Sequence, residues 1–228
     1  MKRITIRITD LIFDKLRVQF REKILNPLLG GVRLKKLINN EFTIISNNCW
    51  GGHVYRYFNM EYESPTVGMY FYAEEYLKFL SNLKYYMNCE LTIVSAFQSK
   101  YYKELQRRGE EQRLIGKLDD VEIVLLHYHT PEEAISKWNR RKERIHWDNI
   151  SVKFSEQNLC TTKILHKFDK LPFERKFVFV HKDYGLKSQV LFKECAHLDE
   201  VPNDTTHFRR YINLIKWLNG EPFKKSLQ

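Results

Sequence analysis

The chain has 228 residues, of which 43% are hydrophobic and 14% aromatic, and its formal net charge is +10. This composition predicts one globular domain and excludes a disordered chain. The charge favours anionic partners such as nucleic acid, anionic lipid or phosphorylated small molecules, although a solvated basic surface also accounts for it. No apolar run approaches the ~18 residues of a membrane-spanning helix. We therefore expect a soluble, cytoplasmic protein without a signal peptide.

The cysteine pattern gives no sign of a metal site. The four cysteines are widely spaced and form no C-x-x-C pair: Cys49, Cys89, Cys160 and Cys195. In a chain of this size we expect reduced thiols. Because no histidine stands at zinc-ligand spacing from a cysteine, we predict no structural metal and no cofactor.

The amino-terminal part of the chain predicts a strand followed by a helix. Residues 3–8 alternate isoleucine with arginine or threonine, which favours a short strand. Asp10 is the predicted N-cap of a helix whose apolar residues recur at helical spacing. We expect this helix to end at Pro27, because proline removes a backbone donor from a helix interior.

Strands and helices alternate through the remainder. Strands are predicted at residues 42–46, 67–72, 90–95, 121–126, 150–154 and 176–181, and helices at about residues 54–58, 73–86, 131–144, 156–168 and 205–218. Residues 101–116 are predicted to be partly helical or looped. The alternation favours an α/β fold with a mixed or mostly parallel sheet and helices on both faces. We expect one domain over residues 1–228, with residues 1–40 as an amino-terminal helical extension.

Polar and aromatic side chains follow three of the predicted strands. They occupy residues 46–50, 127–130 and 181–183, and His181 is the first residue of the third group. If the strands are parallel, these ends lie at one edge of the sheet. Amide, imidazole, hydroxyl and thiol groups gathered in one cleft are a candidate site.

The turn after the first buried strand supplies candidate substrate-binding residues: Ser46, Asn47, Asn48, Trp50, Gly51 and Gly52. The two carboxamides can donate and accept hydrogen bonds to sugar hydroxyls or a nucleobase. The alternative is that they adopt turn conformations and bond only within their own loop. The glycine pair precedes a helix, so its amides can receive a phosphate, but a plain turn requirement explains it as well.

Cys49, His127 and His129 are the candidate catalytic residues. Cys49 stands near a predicted helix N-terminus, which lowers a thiol pKa, and His53 follows four residues later. The alternative is a small packing residue. His127 and His129 are two apart, so both point the same way if the strand is still extended. They can share acid–base work or hold a metal, or serve only as capping and hydrogen-bonding groups.

Arginines on the helix near residue 140 are a candidate phosphate site. Trp138 and Arg141 share one helical face, and Arg140 and Arg144 share another. Arginine offers a planar fork that matches phosphate, such as that of a nucleotide diphosphate. A salt-bridged surface helix is the alternative. Tyr128 and His181 complete the predicted substrate-binding set.

Several strings resemble an uncharacterised bacterial domain family described as exopolysaccharide-biosynthesis proteins. They are residues 42–52 with the distinctive Asn-Asn-Cys-Trp-Gly-Gly run, Ser64-Pro65-Thr66, Leu126-His127-Tyr128 and Trp138-Asn139-Arg140-Arg141. The resemblance covers about residues 40–215. It implies a three-layer, Rossmann-like α/β fold and a link to surface-polysaccharide assembly, but no catalytic residue.

Three functional hypotheses follow. The first is an enzyme that transfers a glycosyl or acyl group from an activated donor, and it requires Asn47, Cys49, His127 and His181 to share one pocket. The second is a non-catalytic protein that binds a sugar or nucleotide. Both take a small molecule or sugar, including a nucleotide-activated sugar, as partner. Nucleic-acid binding is the third, and we exclude it because no recognition motif is present. The reaction and the oligomeric state stay open.

Overall fold

The computed structural model describes residues 16–224. Within this range the chain forms seven strands and eight helices. The strands are β1 (Thr43–Ser46), β2 (Thr92–Ser95), β3 (Leu114–Leu118), β4 (Val121–Leu125), β5 (Ile150–Ser155), β6 (Arg175–Val180) and β7 (Gln189–Leu191). The helices are α1 (residues 16–34), α2 (Trp50–Phe58), α3 (Ala73–Ser81), α4 (Leu83–Asn88), α5 (Tyr102–Arg107), α6 (Pro131–Lys142), α7 (Thr162–Asp169) and α8 (Leu214–Leu218).

The strands form two sheets. The first is entirely parallel, with the order β1-β5-β6-β7, and the second is antiparallel, with the order β2-β3-β4. Helices surround both sheets, so the predicted mixed α/β fold is confirmed. The strand predicted at residues 121–126 belongs to the second sheet, so it is not one of the parallel strands whose carboxyl ends share an edge.

The parallel sheet is buried on both faces because its side chains alternate between two apolar clusters. In β1, Ile44 packs with α2 and α8, whereas Ile45 packs with α3 and the antiparallel sheet. Phe177 and Val178 of β6 alternate in the same way. The sheet therefore has a packed layer on each face, and the ends of its strands are the places where polar groups can collect.

The first described helix continues past the residue at which it was predicted to end. Residues 16–20 are α-helical, Arg21–Leu25 form a π-helical turn, and Asn26–Leu34 continue as α-helix. Pro27 stands in the first turn of the α-helical segment that follows the π turn, where proline is tolerated. The strand predicted at residues 3–8 and the N-cap at Asp10 lie outside the described residues.

Five further predictions differ from the structure. The strand predicted at residues 67–72 is only a single bridge between Tyr70 and Val124, and the helix predicted over residues 73–86 is divided at Asn82 into α3 and α4. The helix predicted over residues 156–168 begins only at Thr162, because Asn158 and Leu159 adopt positive φ angles of 57° and 63°. Within residues 101–116, β3 begins at Leu114 where a loop was expected. In place of one helix over residues 205–218, the chain forms a 3-10 turn and the short α8.

None of the helices within residues 16–224 is both long enough and apolar enough to cross a membrane.

Candidate binding cleft at the strand ends

A cleft of about 250 Å³ opens beyond the carboxyl ends of β1 and β5. Two larger hollows lie away from these strand ends: one of about 430 Å³ between α1 and residues 206–210, and one of about 490 Å³ beside residues 81–84 and 172–175. We choose the smaller cleft as the candidate site because ligands of open α/β sheets bind at the carboxyl ends of parallel strands. We call the 250 Å³ space the strand-end cleft. Its lining residues are Asn48, Cys49, Tyr70, Arg108, Glu110, Leu126, Gln157, Asn158, Pro202, Asn203, Asp204 and Thr205.

The turn after β1 is built by its own polar side chains. Asn48 Oδ1 accepts from the Trp50 amide at 3.1 Å, and Ser46 Oγ accepts from the Gly51 amide at 3.1 Å. The Gly52 amide donates to the Cys49 carbonyl at 3.1 Å. These bonds satisfy the donors at the start of α2. The amides that a phosphate would need are therefore already bonded within the turn.

Close packing explains the two glycines. A Cβ at Gly51 would lie 3.1 Å from Ser46 Oγ, and a Cβ at Gly52 would lie 3.0 Å from Val67 Cγ1. Both distances are below ordinary van der Waals contact. Glycine at these positions lets α2 lie directly against β1 and the segment that contains Val67.

Asn47 and Trp50 are buried, and their side chains fix the turn to the rest of the protein. Asn47 Nδ2 donates to the Ser155 carbonyl at 3.1 Å, and its Oδ1 accepts from the Ser155 amide at 3.0 Å. This pair of bonds joins the end of β1 to the end of β5. The Trp50 ring packs edge-to-face against Phe177 and Trp217 in the core.

A completely buried ion pair lies beneath the cleft. Lys153 on β5 donates to Asp204, and neither side chain is exposed. Asn48 joins the pair: its Oδ1 accepts from Lys153 Nζ at 3.1 Å and its Nδ2 donates to Asp204 Oδ2 at 3.2 Å. Ser155 Oγ also donates to Asp204. Burial lowers the pKa of Lys153, while the Asp204 carboxylate opposes that shift. Asn48 thus connects a buried charge pair to the open cleft.

Cys49 lines the cleft as a protonated thiol. Burial and the negative charge of Asp204 raise its pKa to about 11. Its Sγ lies 3.9 Å from the Met69 carbonyl. His53 contacts Glu22 Oε1 through Nδ1 at 2.7 Å. Its described partners are thus Glu22 and Arg56, and the structure shows no Cys49–His53 contact among the residues that it describes.

The opposite wall carries ionisable groups that the sequence analysis did not identify. Tyr70 donates to Glu110 Oε2 at 2.6 Å, and burial together with this bond raises the pKa of Tyr70. Arg108 donates to Asn158 Oδ1 at 2.7 Å. Glu110 is half-buried, so its carboxylate reaches the cleft. Arg108 and Glu110 stand within residues 101–116, for which the sequence predicted only partly helical or looped structure.

The end of β4 reaches the cleft through Leu126, the residue before His127. The exposed His127 donates its amide to the Gly68 carbonyl at 3.0 Å. Partial burial and the positive charges of Arg113 and Arg56 lower the pKa of His127. His129 is exposed, and its amide donates to Glu133 at 3.0 Å.

The remaining predicted residues lie outside the cleft lining. Tyr128 is buried and donates to the Val67 carbonyl at 2.6 Å. Arg141 donates to the same carbonyl and to the Tyr128 hydroxyl, both at 2.9 Å. Arg144 pairs with Glu61 at 2.6 Å, and Arg140 is exposed on α6.

His181 follows β6 and forms a second buried polar cluster. Its amide and its Nδ1 lie 2.9 and 2.8 Å from Glu156 Oε2, and Tyr184 donates to the other oxygen of Glu156. Of the four residues that the enzyme hypothesis places in one pocket, only Cys49 lines the strand-end cleft. Of all the predicted site residues, Asn48 and Cys49 line the strand-end cleft.

No group of three or more histidine, cysteine, aspartate or glutamate side chains that could hold a metal ion occurs between residues 16 and 224.

Two comparisons with known proteins match most of the chain. The model of the family described as "Domain of unknown function (DUF1919)" matches residues 19–219. An uncharacterised protein of Haemophilus influenzae (strain Rd) is 31% identical over 194 residues, which are 81% of this chain and 87% of the relative. The matched range contains both sheets and the strand-end cleft, and the chain belongs to the DUF1919 family.

Proposed function

We propose that the strand-end cleft binds a sugar and that the protein acts in the assembly of a bacterial surface polysaccharide. One observation carries the proposal: four carboxamide residues, Asn48, Gln157, Asn158 and Asn203, line the same cleft as Glu110. The carboxamides of Asn48 and Asn158 also hydrogen-bond to protein groups through both their oxygen and their nitrogen. Sugar hydroxyls both donate and accept hydrogen bonds, and carboxamides match both roles. The resemblance of residues 40–215 to exopolysaccharide-biosynthesis proteins supports the pathway.

The size of the cleft favours a single sugar unit as the buried part of the ligand. Pockets for drug-sized molecules have volumes of roughly 300–1,000 Å³, whereas this cleft has about 250 Å³. The remainder of a larger ligand, such as the nucleotide of an activated sugar, would extend beyond it. The net charge of +10 favours such a phosphorylated donor.

The enzyme hypothesis that required Asn47, Cys49, His127 and His181 to share one pocket is not kept, because only Cys49 of these four lines the cleft. The reaction proposed in its place depends on other cleft residues and transfers a glycosyl or acyl group from an activated donor to a hydroxyl of the bound sugar. The acceptor oxygen attacks the donor carbon, its proton passes to a base, and the donor's leaving group departs with the bonding electrons. Glu110 is the candidate base, because its partly exposed carboxylate lines the cleft.

Calorimetry and saturation-transfer NMR with hexoses, amino sugars, uronic acids, nucleotide sugars and acyl-CoA would test the binding step. Asn203→Ala removes an exposed carboxamide from the cleft wall, and we expect it to weaken sugar binding about tenfold. Asn139→Ala, which removes an exposed carboxamide on α6, is the matched control and should bind as the wild type does. If none of these compounds binds, the proposal is wrong.

A non-catalytic sugar-binding role is the second candidate. It is favoured by the protonated state of Cys49 and by the separation of Cys49, His127 and His181. Glu110→Gln distinguishes the two roles, since glutamine still accepts from Tyr70 but is a poor base. Loss of transfer with retained sugar binding supports the enzyme. Binding without turnover of any donor by the wild type supports the binding protein.

A further inference from the structure

Helix α1 exposes a continuous apolar face. Leu16, Phe20, Ile24, Leu28 and Val32 recur every four residues, and all five side chains are exposed, Leu28 by 71%. Ile38 follows the helix and is 82% exposed. Isolated exposed apolar side chains are ordinary, but a contiguous apolar patch marks an interaction surface.

The opposite face of α1 holds the helix on the protein through polar and small residues, and Leu34 at its end packs against the apolar core. Glu22 contacts His53 at 2.7 Å and Arg56 at 3.1 Å. Asn26 is buried, and its Oδ1 accepts from Arg33 at 2.8 Å. The usual arrangement of a surface helix is therefore reversed, because its apolar side faces outward.

Gly30 allows this close docking. A Cβ at Gly30 would lie 2.5 Å from Asn59 Cβ and 2.7 Å from the Phe58 carbonyl oxygen, so the end of α2 occupies that space. The helix is thus fixed against α2 by its polar and small side, and rotation cannot turn the apolar side inward.

The π-helical turn keeps the apolar residues aligned. In an α-helix each four-residue step rotates by about 40°, so residues four apart drift gradually around the helix. A π turn contains more residues per turn and removes part of that drift. The turn at Arg21–Leu25 lies in the middle of the exposed row, between Phe20 and Leu28. The row therefore stays on one side of the helix.

Exposed cations surround this face. Arg17 and Lys23 lie on α1 itself, and Lys35 and Lys36 follow its end. The whole chain carries a net charge of +10. A surface that is apolar at its centre and cationic at its edges has the character of an interfacial amphipathic helix.

We propose that the outer face of α1 lies on an anionic lipid membrane, with Leu16, Ile24, Leu28 and Val32 inserted among the acyl chains. Phe20 lies at the edge of this face, where it lines the 430 Å³ hollow together with Thr206 and Arg210. The flanking cations would lie at the level of the lipid phosphates, where each basic residue strengthens binding. A second copy of the chain is the weaker occupant, because a two-fold pairing of this face would bring like charges together. The inference is independent of the sugar-binding proposal.

Co-sedimentation of the full chain with vesicles tests the proposal. One vesicle contains equal amounts of phosphatidylglycerol and phosphatidylcholine, and the other contains phosphatidylcholine alone. We expect binding to the anionic vesicle, weaker binding to the neutral one, and loss of binding as salt screens the charges. The double variant Leu28→Gln/Val32→Gln should bind at least about tenfold more weakly, because it removes two inserted side chains.

Phe97→Gln is the matched control, since Phe97 is 75% exposed outside α1 and should not contribute. Circular dichroism and thermal unfolding of each variant show whether the fold is intact. Absence of binding to anionic vesicles overturns the proposal, and so does equal binding by the α1 double variant and the wild type. Light scattering that shows a dimer abolished by Leu28→Gln/Val32→Gln, without vesicle binding, would assign the face to a second copy instead.

Discussion

Lys153 donates to Asp204 with both side chains completely removed from solvent, directly below the strand-end cleft. Burial of two charges costs several kcal/mol per ion, and only good geometry with additional hydrogen bonds offsets this. Ser155 and Asn48 supply those bonds to Asp204. The pair therefore fixes the loop of Asp204 against the ends of β1 and β5, and so determines the shape of the cleft floor.

The first prediction concerns this pair. Lys153→Met leaves the Asp204 carboxylate buried without its cation, and we expect the free energy of unfolding to fall by about 3–5 kcal/mol. In Lys153→Met/Asp204→Leu both charges are absent. The unfolding free energy of this double variant should therefore fall by less than the sum of the losses in Lys153→Met and Asp204→Leu. Urea unfolding measures the two single variants and the double variant, with the exposed Lys103→Met as control. A loss below about 1 kcal/mol for Lys153→Met would contradict the buried charge pair.

The second prediction concerns the reactivity of Cys49. A pKa of about 11 leaves almost no thiolate near pH 8, and only the thiolate reacts with iodoacetamide. The thiol of the unfolded chain has an ordinary pKa of about 8.5, so unfolding in urea should accelerate alkylation of Cys49 at pH 8 about 200-fold. Peptide mass spectrometry after timed labelling measures the rate at this position. Rapid alkylation of the folded chain at pH 8 would show an activated thiol and restore Cys49 as a nucleophile.

The turn at residues 46–52 was predictable because its chemistry is local. Serine, asparagine and glycine have turn and capping preferences that act within a few residues, and Asn48 and Ser46 accept from the first amides of α2 as those preferences imply. The apolar run of β6 similarly predicted a buried strand, and residues 150–154 predicted a short strand where β5 lies. These features need no knowledge of distant parts of the chain.

The partners of Asn48 were not predictable in the same way. Asp204 lies 156 residues further along the chain, in a segment without helical or strand periodicity. Tyr70 and Glu110 are 40 residues apart and meet only because the antiparallel sheet brings them together. The apolar run of β4 predicted a buried strand correctly, but hydrophobicity does not state to which sheet a strand belongs. The expected convergence of His127 with the turn at Asn48 depended on that assignment.

The third prediction uses two adjacent glycines of α1. Gly30→Ala places a Cβ 2.5 Å from Asn59 Cβ and 2.7 Å from a backbone oxygen, whereas nothing lies within 4 Å of a Cβ at Gly31. We expect Gly30→Ala to destabilise the protein by about 1–3 kcal/mol through overpacking. Gly31→Ala should stabilise it by up to about 1 kcal/mol, because alanine is the better helix former. Urea unfolding of both variants against the wild type tests the docking, and equal effects would show that α1 does not lie against α2.

The fourth prediction is a pH dependence of the same docking. Hydrogen bonds and charge from His53 and Arg56 hold the pKa of Glu22 below its usual value of 4.5. The unfolded chain therefore binds the proton more readily than the folded one, so the stabilisation from Glu22 is complete above its ordinary pKa. It is lost as the pH falls through the lowered pKa of the folded state.

Urea unfolding of the wild type and Glu22→Gln over a pH series measures this contribution. We expect a difference in unfolding free energy that is constant above about pH 5 and shrinks on acidification, since the protonated glutamate then resembles glutamine. Glu132→Gln, at an exposed position of α6, controls for the loss of one negative charge. A difference that is unchanged at the lowest pH at which the chain is still folded, or that grows there, would show that Glu22 does not hold α1 on α2 as a carboxylate.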